Sequence, residues 1–206
     1  MKNKLIAVLS LFFSFQLQAA VADFKTHIEI ASNPKMKMNA RWSSLISSAD
    51  LATSDDMLEI QKFTQSKEWY LRNAALLALR KINYNAAEIE ARKLLSDKAL
   101  VVRSAAVEII AERMSDDNKR MLVEEIDKGY NFNKSSSLWI RKQILEKVAK
   151  VATERDRALF VKNLFDKDKR ISELCANTLE KVTGKKISRK KFVQNWREYA
   201  KQENWY

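Results

Sequence analysis

Arg72, Arg103 and Arg141 stand at one place in a recurring phrase: "YLRNAALLAL" (70–79), "VVRSAAVEII" (101–110) and "WIRKQILEKV" (139–148). An apolar residue and then Arg marks each copy, and the first two continue with one polar residue and an Ala pair. A guanidinium offers five donors. It can grip a carboxylate or phosphate through two parallel bonds, or brace loop carbonyls from inside a fold. On a helical wheel, at about 100° per residue, Leu71, Ala75, Leu76 and Leu79 form one apolar arc, and Arg72 falls in its middle. Arg103 and Arg141 fall alike. A buried charge without partners is very costly, so each needs acceptors, with Asp97 and the acidic joints between helices as natural ones. The wheel favours a structural ladder of Arg72, Arg103 and Arg141 over a ligand-binding role.

Other reactive side chains are sparse. His27 is the only His and Cys175 the only Cys, which excludes Ser-His and Cys-His nucleophile pairs, multi-His metal sites and an intrachain disulfide. Cys175 lies on an apolar arc and is expected to be a buried, inert thiol. The pairs Asp55–Asp56, Asp116–Asp117 and Glu124–Glu125 fall at helix starts or on polar faces, where they suit the helix dipole. Glu108 with Glu146 is the one carboxylate pair that the wheel suggests across a groove. Two Gly cannot build a phosphate-cradling loop. No catalytic constellation, metal site or cofactor is expected. The face opposite the Arg carries Tyr70, Asn73 and Leu77, then Val101, Ser104 and Glu108, then Trp139, Lys142 and Glu146. Tyr70 and Trp139 are the expected contact residues there, because aromatic anchors dominate interfaces. Trp69 is expected in the core. The run "KKISRKK" gathers Lys185, Lys186, Arg189, Lys190 and Lys191 into a basic patch that is either solvated surface or a dock for an anionic partner.

The elements that must position these residues are helices. Two Gly, one Pro and abundant Ala, Leu, Lys and Glu favour helix nearly throughout, and no Asn-Gly hairpin signal or long alternating run argues for strands. After an N-terminal arm at 23–39, about ten short helices are expected, near 40–50, 55–65, 68–82, 85–95, 98–113, 117–128, 137–151, 154–165, 168–182 and 188–202. Ser54, Ser66, Asp97, Ser115, Ser136, Thr153 and Ser188 are the expected helix-start residues, and Gly129 and Gly184 the expected left-handed stops. Aligned on Leu71, Val102, Ile140 and Ile171, the phrase recurs four times, at spacings of 31, 38 and 31 residues. The fourth copy has Ser172 where the others have Arg. Each copy follows another amphipathic helix, as in "AAEIEARKLL" (86–95). A two-helix unit of thirty-odd residues predicts an all-α fold, an α-solenoid of stacked helical hairpins.

"WYLRNAALLAL" and "LVVRSAAVEII" resemble HEAT repeats, in particular the short HEAT-like class of the phycobilin lyases. "LWIRKQILEKV" keeps Ile140 and Arg141 but loses the Ala pair. The resemblance covers roughly 40–206. It implies a repeat array over 40–183 and a basic capping helix over 184–206, where "LEKVTGKKISRKKFVQNWREYAKQEN" (179–204) is similar to an ending in such chains, with Trp196 closing the stack. "ISRKK" departs from that ending by being more basic. The resemblance also implies that the phrase helices line a concave binding face.

Residues 1–22 read as a cleaved export signal: a basic "MKNK", an uncharged run "LIAVLSLFFSF" (5–15), and "AVA" at 20–22 before a cleavage expected after Ala22. The chain carries a net charge of +12, of which the signal removes Lys2 and Lys4. A periplasmic or secreted basic protein meets anionic glycan and lipid, and export argues against nucleic acid. The expectation is a non-enzymatic protein-binding module, a scaffold or an inhibitor of immunity type, whose partner is another envelope protein. Alternatives are an enzyme or enzyme accessory resembling the bilin lyases, and an electrostatic binder of anionic envelope polymer.

Overall fold

A computed structural model describes residues 23–205; the expected signal segment lies outside them. Among the described residues there are eleven α-helices and one two-stranded sheet. The fold is all-α. The chain divides into two compact units after Ala87.

In the first unit, α1 (Phe24–Ser32) lies in the segment expected to be an arm. Asp23 caps it by accepting from the Thr26 N–H at 2.8 Å, and Phe24, Ile28 and Ala31 bury one face. That face is too short to stand out as a period in the sequence, which is why 23–39 reads as unpatterned. Helix α2 (Met38–Ser48) packs on α1 and on α4 (Trp69–Ile82). The short α3 (Met57–Lys62) also packs on α4 and runs into a 3₁₀ turn at Phe63–Gln65. Leu45, Ile60, Leu76 and Leu79 are fully buried. Helix α5 (Tyr84–Leu94) begins in this unit and continues into the second, with Ala87 and Ala91 buried.

In the second unit, α6 (Leu100–Glu112) packs on α7 (Asp116–Glu125) and on α8 (Trp139–Lys150). Helix α8 packs on α10 (Lys169–Thr183), which also contacts α9 (Arg157–Leu164). Helix α11 (Phe192–Gln202) lies against α9 and α10 and buries Trp196 completely.

The helix starts are only partly those expected. Ser115 caps α7 by accepting from the Asn118 N–H, and Thr153 with Asp156 forms a reciprocal capping box ahead of α9. Asp97 instead holds the Ala99 N–H just before α6, Ser66 in the same way accepts from the Glu68 N–H at 3.2 Å just before α4, and neither Ser54 nor Ser188 is the cap of a helix. Gly184 ends α10 in the left-handed region, φ 69°, where a Cβ is disfavoured. Gly129 does not; it opens a 3₁₀ turn. Beyond that turn, β1 (Phe132–Asn133) and β2 (Ser136–Ser137) form a hairpin that the sequence did not signal. Its two-residue turn places Lys134 and Ser135 at positive φ, 47° and 68°, where Asn-Gly would ordinarily stand. These are the extra residues behind the 38-residue spacing. They fold back as a clasp on two arginines.

Candidate functional site

The three phrase arginines are buried in the first turns of α4, α6 and α8. Arg72 donates to the carbonyls of Ser66 at 2.8 Å and Lys67 at 3.1 Å. Arg103 donates to the Asp97 carbonyl at 2.6 Å and the Tyr130 carbonyl at 3.0 Å, and its guanidinium lies 5.4 Å from the Tyr130 ring centre. The expected Asp97 contact is thus made by its backbone, because its carboxylate is taken by the Ala99 N–H. Burial lowers the Arg103 pKa from a value high enough that the charge remains. Arg141 is the most heavily bonded. It donates to the Ile126 carbonyl at 2.9 Å, Asn163 Oδ1 at 3.0 Å, Asp127, Ser137 and Asp166, and lies 4.3 Å from the Phe132 ring centre. The hairpin segment therefore serves two copies at once, through Tyr130 on Arg103 and through Phe132 and Ser137 on Arg141. None of the three guanidinia is open for a ligand fork.

The expected contact face divides. Tyr70 and Asn73 are buried, contrary to the exposed positions expected of them. The Tyr70 hydroxyl accepts from Arg41 at 2.7 Å, and Asn73 Oδ1 accepts from the Trp42 indole at 3.1 Å. Helix α2 covers that side of α4, a packing that a wheel of α4 alone does not contain. Trp69, expected in the core, is 42% exposed. Trp139 is 44% exposed, and Val101, at its register position in the preceding copy, is exposed too.

In the second unit the face forms a groove of about 540 Å³. Glu108 from α6, Glu146 from α8 and Asn177 from α10 line it, with Gln143, Lys147, Lys150, Leu174 and Lys181. Glu108 accepts from Gln143 at 2.7 Å and from Lys147 at 2.5 Å. Burial opposes its ionisation, and these two donors outweigh burial, so its pKa is lowered. It is therefore a charged acceptor and not a proton-sharing partner for Glu146, whose carboxylate pairs with Lys142 in the same helix. Ser104 enters only by its carbonyl, which accepts from Gln143 at 3.2 Å. Gln143, Lys147, Lys150, Leu174, Asn177 and Lys181 are groove residues that sequence reasoning missed. A signal existed: Glu108, Glu146 and Asn177 each stand six positions after the aligned apolar residue, so the same register extends into the fourth copy.

The basic run is dispersed. Lys185 lies 4.8 Å from the Tyr199 ring centre, Lys186 pairs with Glu180 at 3.5 Å, and Arg189 pairs with Glu180 at 2.6 Å. Lys190 and Lys191 are exposed and have no ion-pair partner among the described residues. Cys175 is fully buried, and burial pushes its thiol far above the ordinary range. No cluster of three or more His, Cys, Asp or Glu that could hold a metal occurs among the described residues. No helix there is long and apolar enough to cross a membrane. No protein-family model matches the chain, and no curated protein matches it.

Proposed function

We propose that the chain is an exported, non-enzymatic α-solenoid of HEAT-like repeats that binds another envelope protein along the groove of α6, α8 and α10. One observation carries the reading: a single register position, Glu108, Glu146 and Asn177, recurs in three successive phrase helices and lines one groove. A repeat that stacks its phrase helices side by side creates such a surface as a by-product of burying its apolar faces. The buried arginines then act as struts at the head of each copy. The groove alternates acid and base, Glu108 and Glu146 beside Lys147, Lys150 and Lys181, which suits a polar protein surface more than a uniformly charged polymer. Trp139 does not line the groove itself; exposed at the head of α8, it supplies an aromatic anchor beyond the groove's lining.

The test is a crosslinking pull-down from the envelope fraction of the producing cells, comparing wild type with Glu146→Lys/Lys181→Glu and with Trp139→Ala. The charge exchange should remove the captured partner while the thermal melt stays near wild type. An unchanged set of captured proteins would sink the groove reading. Export is tested separately, by sequencing the N-terminus of the protein recovered from the periplasm, which should begin at Asp23.

A further inference from the structure

A second cavity, of about 660 Å³, opens where α10 and α11 begin. Five cationic side chains line it, Lys167, Lys169, Arg189, Lys191 and Arg197, against two carboxylates, Asp166 and Glu173. Both acids are already engaged. Asp166 accepts from Ser137 at 2.9 Å and from Arg141, and Glu173 lies 3.6 Å from Lys169. On the opposing side, Arg197 uses only its Nε, on the Leu164 carbonyl at 3.0 Å, among the bonds the described residues make with it. Lys167 and Lys191 have no ion-pair partner among the described residues. Arg189 lies 4.2 Å from the Phe192 ring centre, and its two terminal nitrogens donate to Asn177 at 3.1 Å and Glu180 at 2.6 Å. The lining therefore carries five cations against two carboxylates, and Arg197, 5.6 Å from the Phe165 ring centre, keeps its terminal nitrogens clear of the hydrogen bonds seen among the described residues.

We propose that this cavity is a binding site for a phosphate ester. The Arg197 fork matches the geometry of phosphate oxygens, and the ammonium groups of Lys167, Lys169 and Lys191 add charge without a directional demand. The volume falls in the range of small-molecule sites and exceeds what a bare phosphate fills, leaving room for an organic remainder along Phe192. The left-handed backbone of Lys191, φ 55°, is a sparsely populated conformation for a residue with a Cβ, and such conformations persist where surrounding structure imposes them. The site is not the linear run Lys185–Lys191. Lys185 and Lys186 turn to Tyr199 and Glu180, whereas Lys167, Lys169 and Arg197, remote in sequence, complete it. Nor does it rest on the protein-binding reading: Asn177 lines both cavities, but none of the five cations lies in the α6–α8–α10 groove.

The experiment uses the purified protein and two probes of the same chemistry, glycerol 3-phosphate and vesicles of phosphatidylglycerol in phosphatidylcholine. Amide chemical shifts in NMR follow the soluble probe, and co-sedimentation follows the vesicles. Saturable shifts confined to 166–173 and 189–197, absent with glycerol, are expected. Lys167→Gln/Lys191→Gln should weaken binding about tenfold, the loss of two solvated charge contacts. Lys185→Gln/Lys186→Gln should leave it within about twofold, a control that separates a site from general charge attraction. Binding of glycerol 3-phosphate without vesicle sedimentation assigns a soluble ester, and binding of both assigns a lipid headgroup. Absence of saturable shifts and of sedimentation, or equal weakening by the two double variants, overturns the proposal. The amide spectrum of each variant also reports whether it remains folded.

Discussion

Tyr70 and Trp139 occupy one register position in two copies of the phrase, immediately before the aligned apolar residue, and meet opposite surroundings. Tyr70 is buried beneath Arg41, whose guanidinium donates to its hydroxyl at 2.7 Å and whose Nε holds the Ala31 carbonyl at 2.8 Å. Trp139 stays 44% exposed, and Val101 at the same position of the second copy is exposed as well. In the first unit the helices ahead of the phrase close over its polar face. In the second unit the corresponding face of α6, α8 and α10 remains a groove. Register fixes which way a side chain points from its own helix, and the neighbours decide whether that direction leads to solvent. A binding surface can therefore be sought in the second unit, where α6 and α8 expose the positions that α4 buries.

The largest effect should come from the strut beneath the exposed aromatic. Arg141→Met removes the partner of Asp166 and Asn163 inside the fold. Asp166 keeps the Ser137 hydroxyl and the Asp168 N–H but loses its charge partner in a nearly buried place, which should cost about 3 kcal/mol in urea or thermal unfolding. A melt within a degree of wild type would refute the strut role.

Next, Tyr70→Phe and Trp139→Phe test the comparison directly. The first leaves an Arg41 donor unsatisfied in a buried place and should cost about 1–2 kcal/mol. The second changes an exposed ring and should stay within about 0.5 kcal/mol. Equal costs would break the contrast between the two units.

A smaller contrast lies in two caps of identical layout. Thr53 with Asp56 and Thr153 with Asp156 make the same bonds, but only Asp156 also takes an ion pair from another helix, Lys119 at 2.6 Å. Burial raises the Asp156 pKa, and the Lys119 bond with the Thr153 N–H more than offsets it, so the net value lies below 3.8. A carboxyl depressed in the folded state adds stability that is present above its unfolded value and lost as pH falls through the folded one. Asp156→Asn should thus cost about 1 kcal/mol at neutral pH, and its gap to wild type should close as pH falls below 3.8. Asp56→Asn should show the same sign with a smaller amplitude. A pH-independent gap for Asp156→Asn would argue against the ionic part. Smallest of all, Lys142→Ala breaks a half-exposed pair with Glu146 four residues along α8 and should cost about 0.3 kcal/mol, visible only in a precise denaturant titration.

Much of this was legible locally. The Arg at the centre of an apolar arc announced its burial, and the burial of Cys175 follows from the same arithmetic. The left-handed stop at Gly184 and the caps at Ser115 and Thr153 are short-range chemistry within one turn of their helices. The hairpin at 132–137 was not legible, because Lys134 and Ser135 carry no turn signal; what holds it is contact with Arg103 and Arg141, far along the chain. Trp69 and Tyr70 were read the wrong way round for a related reason. A wheel centred on one apolar arc treats everything outside it as solvent.

By itself, the sequence determined the helical class, the repeated phrase and the inward-facing arginines, since each depends on periodicity and on the cost of an unpartnered charge. Only the tertiary structure decided which polar faces were covered and which remained open. It also brought Arg197, Lys191 and Lys167 to one cavity while parting Lys185 and Lys186 from it. The physical reason is one of range. Periodicity and capping act over a few residues, whereas exposure and the summed field of a charge cluster depend on helices that meet from distant parts of the chain.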